Sequence, residues 1–137
     1  MGSIKIYTLI VIDLLEVMSI QHWAEQPSST FVNPGNDAVI ACKINNKGGD
    51  CRWEKRLENK APVPVGIYAG KYEWAGRTDM GDCSLKIIDV EPGLDDGRWI
   101  CQVTASGFRE SDTLISEEAF VSIRGKNPCI KHDTIVL

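Results

Sequence analysis

The sequence predicts an all-β domain in which two sheets pack face to face. Segments such as Ala38, Ile40 and Cys42 place apolar residues at every second position, which is the period of a half-buried strand. Four cysteines stand at strand positions that face inward, and turn residues separate the strands. With 137 residues and a hydrophobic fraction of 43%, the chain can form one such domain with an ordinary core.

The strands follow one another from residue 29 onward. The first, over 29–32, ends in a turn over 33–36, because Pro34 fixes φ and Gly35 permits a positive φ. Alternating or β-prone segments then predict the remaining strands, which are 38–44, 51–55, 63–68, 83–90, 98–105 and 115–124. The stretch 69–82 is too irregular for a strand prediction.

Two motifs in this framework resemble those of the immunoglobulin superfamily. Cys42, Trp53 and Cys101 follow one another in the family's Cys, Trp, Cys order. Asp95-Asp-Gly-Arg-Trp-Ile-Cys101 resembles the family's D-x-G-x-Y-x-C motif, with Trp99 where tyrosine is usual. An indole reaches differently from a tyrosine hydroxyl, so we expect a looser corner at this point.

The resemblance spans residues 27–124 and implies an immunoglobulin-like Greek-key sandwich. About 27 residues separate the third strand of this framework from the strand that begins at Cys83. This length favours the variable-type layout, which has additional strands in that interval, over the constant type.

The same resemblance implies how the cysteines pair. Four cysteines allow three pairings, and four buried free thiols are the alternative to any of them. In the immunoglobulin frame Cys42 meets Cys101, while Cys51 and Cys83 both face the core near one rim of the sandwich. We therefore predict two inter-sheet disulfides, Cys42–Cys101 and Cys51–Cys83. The predicted core contains Trp53, Trp99 and Leu85.

The second cysteine pair carries a narrower resemblance. Asp50-Cys-Arg-Trp-Glu54 and Gly81-Asp-Cys-Ser-Leu85 look like elements of the first domain of Fasciclin III, an insect homophilic adhesion protein. This likeness implies a cell–cell adhesion domain that binds a protein partner, either homophilically or heterophilically. The implied partner is another immunoglobulin-like domain. Disulfides persist in oxidising compartments, so we expect an extracellular domain, secreted or on the cell surface as part of a longer form.

The two ends of the chain are predicted to lie outside the domain, which is expected over 25–125. Residues 1–24 predict a secretory leader, because Lys5 precedes the apolar run 6–12, with cleavage after Ala24. The alternative is an amphipathic helix that stays attached. Residues 126–137, which include Cys129, are expected to form a flexible tail that is too short and polar to span a membrane.

Composition and motifs argue against several classes of function. A net charge of −4 with scattered cations is not typical of a nucleic-acid-binding protein. The two histidines, His22 and His132, fall outside the predicted domain, so the domain has no imidazole to act as a base. No metal-binding or phosphate-binding motif is present, so we predict no cofactor and no enzymatic activity.

One predicted face has the composition of a protein interface. Its residues project outward from neighbouring strands and comprise an apolar centre with a polar surround, namely Arg52, Glu54, Ile100, Gln102 and Phe120. The alternative is that Ile100 and Phe120 are isolated exposed apolar residues, which are common on protein surfaces.

Two further expectations concern the rim of the sandwich and an internal ion pair. A rival to adhesion is a soluble immune or decoy receptor that binds a foreign ligand through the loops around 45–49 and 107–111. Arg77 is predicted to pair with Asp95, the aspartate of the D-x-G motif, and the alternative is a solvated surface arginine.

Overall fold

The computed structural model describes residues 20–124, which form a β-sandwich of one larger and one smaller sheet with an additional two-stranded sheet. The strands in chain order are β1 (His22–Glu25), β2 (Thr30–Val32), β3 (Ala38–Ile40), β4 (Lys43–Asn45), β5 (Cys51–Arg56), β6 (Val63–Val65), β7 (Tyr72–Trp74), β8 (Leu85–Ile87), β9 (Gly97–Val103), β10 (Leu114–Ile115) and β11 (Ala119–Ile123). A short 3-10 helix, Thr78–Met80, precedes β8. Most of the predicted leader and the whole predicted tail lie outside the described residues.

The larger sheet, called the front sheet below, has the strand order β2-β11-β9-β5-β6, with β10 also beside β9. Strand β2 runs parallel to β11, and the other pairs in this sheet are antiparallel. The back sheet has the order β3-β8-β7, and β1 pairs with β4 at its side. Some neighbours are consecutive hairpins, but β9 lies beside β5 and β3 lies beside β8, and these crossovers give the Greek-key connectivity of an immunoglobulin-like sandwich.

The core between the sheets contains the two predicted disulfides. The Cα atoms of Cys42 and Cys101 lie 6.5 Å apart, and those of Cys51 and Cys83 lie 6.2 Å apart. Cys101 and Cys51 lie on the front-sheet strands β9 and β5. Cys42 lies between β3 and β4, and Cys83 lies two residues before β8 of the back sheet, so both bonds link the two layers. The residues predicted for the core, Trp53, Trp99 and Leu85, are fully buried.

The turn before β3 has the geometry that its residues predict. The N–H of Asn36 donates to the carbonyl of Asn33 at 3.1 Å, which closes a four-residue turn. Gly35 has a φ of 84°, a conformation that glycine adopts without steric cost. Pro34 precedes it, and its ring restricts φ as the first central position of such a turn requires.

Two strands were not predicted, and two predicted strands are divided. The strand predicted over 115–124 is split into β10 and β11. Strand β1 lies in the segment assigned to the leader, and β7 lies in the stretch that looked irregular. The strand predicted over 38–44 is split into β3 and β4 around Cys42, whose N–H donates to the Ser84 hydroxyl at 3.1 Å. The Ser84 side chain thus accepts the hydrogen bond that the N–H of Cys42 would otherwise donate to the backbone of a neighbouring strand.

The front sheet ends at β6, and Pro64 explains this end. Pro64 lies opposite Glu54 in the middle of the strand and has no N–H to offer a further strand. Proline on an edge strand therefore discourages the pairing of another chain. Of the two strands that a variable-type layout adds, the described residues contain β6 and no second one.

Trp99 performs the role that tyrosine usually has in the D-x-G motif. Its indole N–H donates to the backbone carbonyl of Asp95, four residues upstream, at 2.9 Å. A tyrosine hydroxyl at this corner also bonds to upstream backbone. The expectation of a looser corner is therefore wrong, because the indole completes the same type of bond.

The predicted ion pair between Arg77 and Asp95 is also wrong. Arg77 instead pairs with Asp79 on the surface, at 2.6 Å. The ammonium of Lys71 lies 2.6 Å from one carboxylate oxygen of Asp95, and the hydroxyl of Tyr72 donates to the other at 2.6 Å. Strand β7, which sequence alone did not predict, brings Lys71 and Tyr72 to this buried carboxylate.

Candidate protein-binding face

The outer surface of the front sheet brings the predicted binding residues together. The register of β5 and β9 places Arg52 opposite Gln102 and Glu54 opposite Ile100. Phe120 projects from β11, the other neighbour of β9. The five predicted residues therefore share one surface across three adjacent strands, which is called the front face below.

Ile100 differs from the prediction because it is not available at the surface. Only 5% of it is exposed, although it projects outward, so neighbouring side chains cover it. Phe120 is 46% exposed. Of the two residues predicted for the apolar centre, Phe120 is therefore the one that a partner could contact.

Arg52, Glu54 and Gln102, called the upper part of the front face, are linked by hydrogen bonds and an ion pair. The carboxylate of Glu54 accepts from Gln102 at 2.9 Å and forms an ion pair with Arg52 at 2.8 Å. Arg52 also donates to the side-chain carbonyl of Gln102 at 3.1 Å. The carboxylate of Glu54 is thus satisfied within the protein, and the guanidinium of Arg52 is the charge presented to solvent.

Two arginines that sequence reasoning missed, Arg56 and Arg98, lie beside Glu118. These three residues are called the lower part of the front face. The Nε of Arg56 lies 3.4 Å from one carboxylate oxygen of Glu118, and an Nη of Arg98 lies 4.0 Å from the other. The guanidinium carbon of Arg98 also lies 5.4 Å from the centre of the Phe120 ring. Arg56 and Arg98 share the strand parity of Glu54 and Ile100, so the alternation that found those residues could have found both.

Three more exposed side chains extend this surface. Phe31 on β2 lies beside Ser122 and is 66% exposed, and the guanidinium carbon of Arg124 lies 5.2 Å from its ring centre. Ile115 on β10 lies opposite Gln102 and is also exposed. The front face is therefore a surface of arginines and exposed apolar side chains that spans five strands.

Gln21 fixes the loops at one rim of the sandwich. Its side-chain amide donates to the carbonyls of Thr104 at 2.7 Å and Asp112 at 2.8 Å. Its side-chain oxygen accepts from the N–H groups of Gly48 at 3.1 Å and Gly49 at 3.2 Å. A Cβ on Gly49 would lie 1.8 Å from the Thr104 carbonyl oxygen, so glycine permits this close approach. Gln21 therefore ties the N-terminal strand to both rim loops.

The loop over 104–113 presents an aromatic side chain from a fixed base. The carboxylate of Asp112 accepts from the hydroxyl of Ser106 at 2.5 Å and from its N–H at 2.9 Å. These hydrogen bonds hold the pKa of Asp112 below its ordinary value, and the bond from the Ser106 hydroxyl has the largest effect. Phe108 at the tip of the loop is fully exposed.

A groove of about 410 Å³ opens beside β6. Most of its lining is apolar, including Leu57, Val63, Tyr68 and Leu94. The ammonium of Lys55 donates to the carbonyl of Leu94, and burial lowers its pKa. Lys55 therefore supports the turn before β9 and does not add its charge to the front face.

Within residues 20–124 no helix has the length and apolar character needed to cross a bilayer. The same residues contain no group of three or more histidine, cysteine, aspartate or glutamate side chains placed to hold a metal ion.

Comparison with known proteins finds two curated relatives of this chain. No protein-family model matches the chain. Human Kin of IRRE-like protein 1 is 26% identical over 114 residues, which are 80% of this chain and 14% of that protein. Synaptogenesis protein syg-1 of Caenorhabditis elegans is 24% identical over 115 residues, which are 80% of this chain and 15% of that protein. The chain thus spans about one seventh of the length of these relatives.

A solved structure has the same architecture. The crystal structure of Duf (Kirre) D1 matches with a TM-score of 0.63 and 23% identity, over 75% of this chain and 95% of that one. The match covers nearly the whole of the solved chain, as expected when one domain is compared with one domain. Together with the two inter-sheet disulfides, this match shows that residues 20–124 have an immunoglobulin-like fold.

Proposed function

We propose that this domain mediates cell–cell adhesion outside the cell by binding another protein through its front face, homophilically or heterophilically. The observation that carries the proposal is the exposed Phe120, which lies against Arg98 in the middle of a regular sheet. Aromatic residues and arginine are enriched in protein interfaces and among the residues that contribute most to binding. A regular sheet also holds these side chains in fixed positions before binding, which reduces the entropic cost of association.

The back sheet supports this assignment by contrast. Its outward residues include Val39, which is 57% exposed, opposite the charged Lys86 on β8. Lys86 lies 3.8 Å from Asp37, so its charge is balanced within the same sheet. A single exposed valine among paired charges is ordinary protein surface. The front face is therefore the stronger candidate for a partner.

Two other observations support an extracellular adhesion role. Two disulfides in one small domain are typical of domains that fold in an oxidising compartment. One relative, syg-1, is by name a synaptogenesis protein, and the formation of a synapse requires two cells to meet. The predicted likeness to the first domain of Fasciclin III, based on Cys51 and Cys83, supports the same role and stays a prediction.

The test compares two variants of the full chain displayed on suspended cells. Phe120→Asp places a carboxylate at the exposed position on the front face, and Val39→Asp does the same on the back sheet as a matched control. We expect Phe120→Asp to abolish cell aggregation, either among displaying cells or with untransfected neighbours, while Val39→Asp preserves it. Ile100 stays unchanged because a carboxylate at this buried position would destabilise the fold. Aggregation that survives Phe120→Asp contradicts the proposal.

The rival proposal is a soluble immune or decoy receptor that binds a foreign protein through the rim loops. The fully exposed Phe108 supports it, because Gln21 and Asp112 hold the base of its loop in place. This proposal predicts a strict monomer by sedimentation that binds a microbial protein. Its binding should be lost on Phe108→Ala and retained on Phe120→Asp, which is the reverse of the result expected for adhesion through the front face.

A further inference from the structure

The front face carries a positive charge on a protein whose net charge is −4. Four arginines and two glutamates project from it, and the arginines are Arg52, Arg56, Arg98 and Arg124. The face therefore has a formal charge of +2 by this count. The two glutamates are also less accessible than the arginines, since the side chains of Glu54 and Glu118 are 7% and 32% exposed.

The arginines of the lower part retain capacity to donate. Each guanidinium has five N–H donors. The Nε of Arg56 is buried 3.4 Å from the carboxylate of Glu118, but 40% of the Arg56 side chain is exposed. Arg98 lies 4.0 Å from the same carboxylate and is 41% exposed. The exposed parts of these two side chains can therefore donate to carboxylates of a partner.

We propose that the front face binds an acidic protein surface, in which aspartate or glutamate carboxylates surround an apolar centre, and does not bind a second copy of itself face to face. This inference depends on the proposed function and specifies its partner. In a two-fold symmetric contact the same patch faces itself. The arginines of one copy would then meet those of the other, and like charges across an interface suppress association.

The apolar side chains distinguish a protein partner from a sulfated polysaccharide. Phe31, Ile115 and Phe120 are exposed among the arginines. A polysaccharide would be held mainly by the charges, whereas a protein would bury these side chains as well. The arrangement therefore favours a protein that has both carboxylates and apolar groups in its binding surface.

A charge-reversed copy of this chain serves as the acidic probe. The full-length variant Arg56→Glu with Arg98→Glu keeps the shape and apolar residues of the face and reverses its lower charges. Sedimentation equilibrium would compare the wild type alone, the variant alone and an equal mixture, at low and at high salt. We expect the mixture to associate on the order of tenfold more tightly than the wild type alone, with the difference reduced by salt.

A mixture that associates no more tightly than the wild type alone overturns the inference. Circular dichroism checks that the variant is folded, and Arg124→Glu replaces it as the probe if it is not, because Arg124 has no ion pair with Glu118. If the wild type forms a dimer that Phe120→Asp abolishes, and the mixture gives no gain, the proposed adhesion function stands and the acidic partner is rejected.

Immobilised heparin tests the polysaccharide alternative. One outcome is that the protein is retained on heparin equally well with and without Phe120→Ala, while the mixture associates no more tightly than the wild type alone. This result assigns the face to a polysaccharide and rejects the inference. Loss of mixed association on Phe120→Ala supports a protein partner, because the ring contributes apolar contact and no charge.

Discussion

The indole N–H of Trp53 donates to the backbone carbonyl of Cys83 across the core, at 2.8 Å. The N–H of the same Cys83 donates to the carbonyl of Cys42 at 2.7 Å. Trp53 therefore contacts a half-cystine of one disulfide, and that half-cystine is bonded through its backbone to a half-cystine of the other. The two disulfides and the core tryptophan form one connected cluster beneath the front face.

Removal of the second disulfide should destabilise this cluster without abolishing the fold. For Cys51→Ala with Cys83→Ala, we expect a loss on the order of 2–4 kcal/mol in the free energy of unfolding, because the unfolded chain loses a cross-link. Urea unfolding of the variant and the wild type measures the difference. Cys42→Ala with Cys101→Ala is the matched comparison, and it should cost more because 59 residues separate these cysteines, against 32 for the other pair. An unchanged midpoint for the Cys51 and Cys83 variant would show that the second bond adds no stability.

Sequence patterns predicted the parts of the fold that depend on parity and on cysteine spacing. Alternation placed Trp53 and Leu85 inside, and it placed Arg52 and Phe120 on the outer surface of the front sheet. Such positions follow from the two-residue period of a strand, which each segment carries in its own sequence. Both disulfides depend on the same parity once the immunoglobulin frame is assumed.

Contacts between segments that are distant in sequence could not be predicted from these local patterns. Parity pointed Ile100 outward correctly, but its burial depends on the side chains of other strands that cover it. Strand β7 is three residues long, and its sequence shows no alternation that a local window could detect. The partner of Asp95 was therefore assigned to Arg77, although the tertiary fold brings Lys71 to that carboxylate.

Substitution of Lys71 should reveal the buried ion pair at Asp95. Asp95 is fully buried and the Lys71 side chain is 13% exposed, so Lys71→Ala leaves a buried carboxylate without its cation. Breaking such a pair costs about 3–5 kcal/mol, and we expect a loss of this order in thermal unfolding. Arg77→Ala is the control and should change stability by less than about 0.5 kcal/mol, because Arg77 pairs only at the surface. Equal effects of the two substitutions would contradict the assignment.

Tyr72 should contribute to the same site through its hydroxyl. Burial and the hydrogen bond to Asp95 raise the pKa of Tyr72, so the hydroxyl stays protonated and donates at neutral and mildly alkaline pH. We expect Tyr72→Phe to lower the free energy of unfolding by about 1–3 kcal/mol, because a charged acceptor loses one donor. An absorbance titration of the wild type should show one tyrosine that ionises at higher pH than the others. The absence of such a tyrosine would place Tyr72 outside the buried site.

Acid should weaken the base of the loop that carries Phe108. Hydrogen bonds from Ser106 hold the pKa of Asp112 below its ordinary value of 3.8, so the folded state binds fewer protons than the unfolded state in this range. The stabilisation is therefore complete above pH 3.8 and is lost as the pH falls through the folded pKa. Unfolding measured as a function of pH should show a steeper acid loss for the wild type than for Asp112→Asn. Parallel curves would mean that Asp112 does not contribute to the acid dependence.

The mature N-terminus should lie upstream of Gln21. Cleavage after Ala24, as the sequence predicts, would cut strand β1 and remove Gln21, which is 1% exposed and makes four side-chain hydrogen bonds to the rim loops. Each such bond contributes about 0.5–1.5 kcal/mol, so the loss would be a large part of the stability of one domain. We expect N-terminal sequencing of secreted protein to begin at Ile20 or earlier, and Ser19 is a small residue suited to the position before a cleavage site. A secreted chain that begins at Glu25 and unfolds at the same urea concentration as a chain that retains Gln21 would show that these bonds are dispensable.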